Sequence, residues 1–208
     1  MEDVLDVYQR QYAGDEVLVC MDETSKQCTK ETRLPLLARP GGIAKFDYEY
    51  ERNGVSNLFM LFAPLSGWRH VSVTDRRTKV DWAILIKELV DVHYPGKRKI
   101  VLVMDNLNTH KLSSLYEAFE PGSAQSIADL LEIHYTPQHG SWLNMAEIEI
   151  GVMTRQCLNR RINDRETLQR EIRAWQDGRN KQAVQVNWRF TTEDARVKLK
   201  SLYPSMQN

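Results

Sequence analysis

The sequence predicts an α/β domain built on a mixed sheet, and three features predict it. Two short apolar runs, Glu16 to Met21 and Ile100 to Met104, are each closed by acids, at Asp22-Glu23 and at Asp105. Between them lies a stretch patterned as antiparallel strands. Behind Leu130 to Tyr135 the spacing turns wholly helical, so strands and helices alternate and then only helices follow. With 208 residues, 42% of them hydrophobic, the chain can bury one sizeable core, or one core with a helical appendage.

Met1 to Asp15 reads as a leader or linker remnant, ending in Gly14-Asp15. Glu16 to Met21 is the first strand. Thr24 to Pro40 is polar and basic and ends in Arg39-Pro40-Gly41-Gly42, which predicts a loop overhanging the sheet. Ala44 to Glu51 alternates aromatic and charged residues as a strand with one wet face does, Arg52-Asn53-Gly54 reads as a hairpin turn, and Asn57 to Ala63 returns. Trp68 to Thr74 makes a third strand of the meander. From Lys79, Trp82, Leu85, Ile86, Leu89 and Val90 form one helical stripe, with Asp81 near its start and His93 near its end, and Pro95-Gly96 stops it.

Ile100 to Met104 is β-branched and unbroken, the mark of a strand buried on both faces. A helix over Ser113 to Phe119 follows, closed by Glu120-Pro121-Gly122, and then a strand at Leu130 to Tyr135. Trp142 onward is helical through Met145, Ile148 and Val152. Leu168, Ile172 and Trp175 mark another helix, and Thr191 with Asp194 form a capping-box-like start to the last, which carries Leu199 and Leu202 inward. The predicted division is 1–15 leader or linker remnant, 16–162 the α/β domain, and 163–208 a basic helical extension packed on the same domain.

Twenty-eight basic and 28 acidic residues cancel, so the whole chain lacks the positive field that drives strong non-specific DNA binding. From Gly151 to Asn208, however, twelve Lys/Arg face six Asp/Glu, a pattern of either a solvated helical face or a polyanion surface. Cys20, Cys28 and Cys157 lack the paired spacing of a zinc or redox motif and read as thiols of a reducing compartment. No apolar run approaches membrane-spanning length. A cytoplasmic location is expected.

Two strands that each end in Asp bring two carboxylates together if they are parallel neighbours, outside the carboxyl ends where open sheets place their chemistry. A third acid is sought on the helix after the last strand, where Glu147 and Glu149 both stand near the start. An all-oxygen cluster suits Mg²⁺ or Mn²⁺, and two such ions support in-line displacement at a phosphodiester. The ordinary alternatives are helix and loop capping by Asp22 and Asp105, and dipole stabilisation by Glu147 or Glu149.

Val19 to Glu23 (V-C-M-D-E), Asp105 to His110 (D-N-L-N-T-H) and Thr136 to Glu149 (T-P-Q-H-G-S-W-L-N-M-A-E-I-E) resemble the signature blocks of DDE transposases. The branch they resemble is the bacterial insertion-sequence six-thirty family of the Tc/mariner superfamily; Asn187 to Leu199 is similar to its C-terminal segment. The resemblance implies a ribonuclease H-like, five-stranded mixed sheet flanked by helices, with a helical C-terminal extension. It implies Asp22, Asp105 and Glu147 as catalytic and metal-holding residues for two Mg²⁺ or Mn²⁺, with Glu149 in reserve for the third place. The expected activity is phosphodiester hydrolysis and DNA strand transfer at element ends. Lys26, Lys30, Arg33, Arg155, Arg160 and Arg161 are candidate contacts to DNA phosphates, and Asn108, His110 and His139 candidate positioners of phosphate or water. Family members normally begin with helix-turn-helix modules, and this chain starts where those would have ended. A homodimer and a companion polypeptide carrying that module are the further partners considered. The competing readings are a non-catalytic partner of a full-length transposase and a stand-alone nuclease.

Overall fold

The computed structural model describes residues 1–32, 40, 48–138 and 140–200. Its centre is a five-stranded sheet: β1 (Glu16–Glu31), β2 (Tyr50–Ala63), β3 (Trp68–Thr74), β4 (Lys99–Met104) and β5 (Leu131–Tyr135), in the order β3-β2-β1-β4-β5. β2 is antiparallel to β1 and β3, while β4 and β5 run parallel to β1. This is the ribonuclease H-like arrangement. Helices cover both faces: α1 (Glu2–Gln9), α2 (Lys79–Glu88), α3 (Ser113–Ala118), α4 (Pro121–Leu130), α5 (Met145–Met153), α6 (Arg165–Gln182) and α7 (Thr192–Lys198).

Alternation along the strands divides the core in two. Leu18, Cys20, Met60, Val101 and Val103 face the layer of α1, α5 and α6. Val19, Met21, Leu61, Leu102 and Met104 face that of α2, α3 and α4. Every member of the predicted α2 stripe is buried, Trp82 completely. α2 opens with a full capping box between Thr78 and Asp81 and runs directly into a π turn over Leu89–His93. No helix among the described residues is long and apolar enough to cross a membrane.

Four expectations are corrected. Residues 1–15 are not a peripheral leader: α1 places Val4, Leu5, Val7 and Tyr8 in the core, and Tyr8 donates to the Leu143 carbonyl at 2.7 Å. β1 does not stop at Asp22 but continues to Glu31, because its polar second half is held by the ladder to β2 from Thr24↔Leu58 to Glu31↔Tyr50. Arg52-Asn53-Gly54 is not a hairpin turn. The register shifts there, between Gln27/Thr29 and Val55/Arg52, and Gly54 adopts φ +83°, so the glycine serves a bulge inside β2. α3 does end before Glu120 as expected, but Pro121-Gly122 also starts a further helix, α4, since proline at the first helical turn sacrifices no hydrogen bond. The predicted strand segment 44–47, most of the Arg39 to Gly42 turn, and Leu202 lie outside the described residues.

β3 is an edge strand, and α6 covers it. Asn180 accepts from the Arg69 amide and donates to its carbonyl, both at 2.8 Å, and Gln176 accepts from the Val71 amide at 2.8 Å. Side-chain amides thus satisfy backbone groups that an open edge would offer to another chain.

Candidate active site

The parallel ladder from Glu16↔Lys99 to Cys20↔Val103 fixes the first pair of acids. Two residues further along both chains, Asp22 and Asp105 stand opposite each other where β4 gives way to a loop. Asp22 is in mid-strand with respect to β2, where it pairs with Met60, yet at the end of its ladder with β4. The longer strand therefore leaves the predicted juxtaposition intact.

α5 contributes the third acid, and Asn144 docks that helix. The Asn144 side chain caps α5 by accepting from the Ala146 amide at 3.1 Å and donates to the Met21 carbonyl at 2.8 Å and to Asp22 Oδ2 at 3.3 Å. The first turn of α5 is thus tied to the backbone of β1 beside Asp22. Glu147 lies in this turn, exposed to water. Glu149 points elsewhere. It is buried, with Oε1 at 2.9 Å from Arg69 Nε and 2.7 Å from Arg179 Nε.

Burial raises Asp22 to about 6, against the Glu23 amide that donates to its Oδ1 at 2.7 Å, and repulsion from Asp105 and Glu147 adds to the rise. Among the described residues the ligand atoms of these three acids do not all come within 4.8 Å of one another, a wider spread than a single small cation would bridge. The donor set is entirely oxygen, the chemistry of Mg²⁺ and Mn²⁺.

His110 lies wholly inside the protein. Its Nδ1 is 2.6 Å from Asp105 Oδ1, its Nε2 3.4 Å from Glu23 Oε2, and Glu23 in turn pairs with Arg77 at 2.9 Å. Tyr135 donates to the His110 carbonyl at 2.9 Å, and Trp82 stacks over the ring at 6.2 Å. Burial alone would lower its proton affinity, but the bonds and charges of Asp105 and Glu23 prevail and raise it to about 9. His110, its proton affinity raised, donates to Asp105 and fixes its orientation. It cannot touch phosphate directly, which corrects the expectation from its sequence position. Neither its burial nor the Glu23 contact has a local sequence signal.

Asn108 is exposed on the loop after β4. An open cleft of about 680 Å³ begins at Asp105 and runs between Leu107, Tyr135, Pro137, Gln138 and Ser141. Lys30 and Arg155 are exposed. Lys26 instead donates to the carbonyls of Leu158 and Arg160, at 2.6 and 2.9 Å. Arg160 pairs with Glu171. Arg161 pairs with Glu31 at 2.5 Å and donates to the Tyr48 carbonyl at 3.1 Å. Those three cations are engaged within the fold. Arg33 and His139 lie outside the described residues.

A mixed five-stranded sheet of this order flanked by helices defines the ribonuclease H-like class of fold. The family is given directly by the sequence: residues 17–169 match the DDE superfamily endonucleases, and the chain belongs to that family. No curated protein matches it significantly. Among solved structures it resembles the Mos1 mariner paired end complex with Mn (TM-score 0.57, 13% identity, 88% of this chain and 55% of that one). It also resembles the Mos1 strand transfer complex (0.56, 13%, 88% and 58%) and a pre-cleavage Mos1 transpososome (0.55, 12%, 88% and 59%). At such identities the likeness is one of fold. The chain spans little more than half the length of these relatives.

Proposed function

We propose that the chain is the catalytic domain of a transposase of the insertion-sequence six-thirty branch, cutting and joining DNA at the ends of a mobile element in the bacterial cytoplasm. The observation that carries this reading is that Asp22, tied to the first turn of α5 through Asn144, lies close enough to Asp105 and Glu147 to feel the charge of both. These three residues would hold two Mg²⁺ or Mn²⁺, and solved Mos1 complexes bear both metals in their names. When bound, such ions activate a water and stabilise the leaving oxygen of an in-line displacement. Asn144 sets the position of Glu147 against Asp22, and His110 orients Asp105. Glu149 is excluded from the third place in this reading because Arg69 and Arg179 already neutralise it.

The cleft beside Asp105 would admit the scissile strand, with Asn108, Lys30 and Arg155 contacting phosphates without reading sequence. After hydrolysis, the freed 3′-hydroxyl would attack target DNA. Net neutrality and the internal pairing of Lys26, Arg160 and Arg161 favour recognition of element ends by another module, of helix-turn-helix type, in the same or a companion polypeptide.

The test is nicking of supercoiled plasmid in Mn²⁺ by the wild type and Asp105→Asn. The expected outcome is metal-dependent nicking that falls to background in the variant, with both proteins equally folded. A folded wild type that nicks nothing, or a variant that nicks equally well, removes the enzymatic reading and leaves the non-catalytic partner.

A further inference from the structure

A cluster of metal-ligating side chains stands at the β3 edge of the sheet. His70 on β3, Glu88 at the end of α2 and His93 in the π turn bring one ligand atom each to within 4.8 Å of one another. His70 Nε2 is 3.5 Å and His93 Nε2 3.3 Å from Glu88 Oε1. Ligands about 2.1 Å from a tetrahedral zinc stand about 3.4 Å apart, the edge length that both contacts reproduce.

The backbone is shaped for this meeting. In an α-helix, residues five apart point about 140° away from each other. Here the Tyr94 amide donates to the Leu89 carbonyl at 3.0 Å, five residues back, so the chain widens into a π turn that turns His93 toward Glu88. Such π insertions cost regular hydrogen bonding and recur at functional sites. The His93 Nε2 is buried with no hydrogen-bond partner, although Glu88 is within ion-pair distance. A cation at the centre of the cluster would engage all three groups at once.

We propose that His70, Glu88 and His93 bind a divalent transition-metal cation of the zinc class. Two imidazoles and a carboxylate form a donor set that selects such ions over Mg²⁺. Trp68 walls one side, 4.9 Å from the His93 ring and 6.3 Å from that of His70. The other side opens on a cleft of about 440 Å³ reaching Arg173, Gln176 and Asp177 of α6, which leaves a fourth position for water. This site is distinct from the carboxylates. His70 pairs with Leu61 and Leu61 with Met21, on the sheet face opposite that of Asp22.

The test titrates Zn²⁺ against a chromophoric chelator into the untagged full chain carrying Asp22→Asn, Asp105→Asn and Glu147→Gln, which disables the first site. Wild type in excess Mg²⁺ replaces it if that variant does not fold. The expected result is one Zn²⁺ per chain, with Co²⁺ giving the visible spectrum of a tetrahedral site. His93→Gln added to this protein should weaken binding at least tenfold, since loss of mere outer-shell partners already costs about 10–100-fold. Glu88→Gln, at a partly exposed side chain, should do the same and decides the matter if His93→Gln does not fold. No bound Zn²⁺, or affinity unchanged in whichever of these variants folds, overturns the proposal. Plasmid nicking is not expected to change in His93→Gln or Glu88→Gln alone, so this outcome is separable from that of the carboxylate site.

Discussion

Glu147 and Glu149 stand two residues apart in α5, and their surroundings are opposite. Glu147 faces water beside Asp22, whereas Glu149 is 1% exposed and held by Arg69 and Arg179. Residues two apart on a helix project about 200° from each other, so one turn can serve two regions. On one side Asp22 meets the charges of Asp105 and Glu147, which add to the rise in its proton affinity. On the other, two guanidiniums neutralise one carboxylate and lock α5 to β3 and α6. Residue type alone therefore does not assign a role; the charge count of the neighbourhood does.

That contrast makes Glu149 a stability residue. Glu149→Gln leaves Arg69 fully buried and without its counter-charge, and breaking a buried pair in this way costs about 3–5 kcal/mol. Urea denaturation should register this loss, while the variant still binds Mn²⁺ below its unfolding midpoint. A loss under about 1 kcal/mol would mean that water reaches the triad.

On the carboxylate side, the next effect is that of His110. His110→Gln withdraws a charged donor from Asp105, and the removal of outer-shell partners of this kind lowers metal affinity or activity about 10–100-fold. Calorimetry with Mn²⁺ at constant pH measures it. An affinity equal to wild type would reduce His110 to a packing residue.

A third histidine offers the smallest effect. At His134, burial lowers proton affinity, but hydrogen bonds to Asp3 at 2.8 Å and Glu132 at 3.0 Å outweigh it and raise the group above its ordinary 6.5. A histidine raised on folding contributes stability that is complete below about 6.5 and is lost as pH climbs through the raised value. Thermal unfolding of wild type should therefore lose a small increment across that interval, and His134→Gln should flatten it. A loss that persists in the variant would belong to other groups.

The parts of this molecule legible in its sequence are those decided locally. β4 announced itself by an unbroken β-branched run, and α2 by a stripe whose five members are all buried. The adjacency of Asp22 and Asp105 was legible on condition that their strands are parallel neighbours, which the β1–β4 ladder meets although β1 runs on past Asp22. What escaped depends on distant partners. The second half of β1 is polar and exists because β2 pairs with it. α1 gives only a weak helical pattern, and its place in the core is fixed by Leu143, 135 residues from Tyr8. The bonds of Asn144 to Met21 and Asp22 join residues more than 120 apart and leave no local pattern. The choice between Glu147 and Glu149 was open in the sequence because the two arginines that decide it lie 80 residues before and 30 after Glu149.

The most direct measurement of the central claim is calorimetric titration of Mn²⁺ into Glu147→Gln and Glu149→Gln, side by side and at a temperature where both are folded. The account predicts that Mn²⁺ binding is lost from Glu147→Gln and retained by Glu149→Gln. The reverse pattern, or equal loss from both, would contradict it, because the buried glutamate between its two arginines would then be the one that meets the metal.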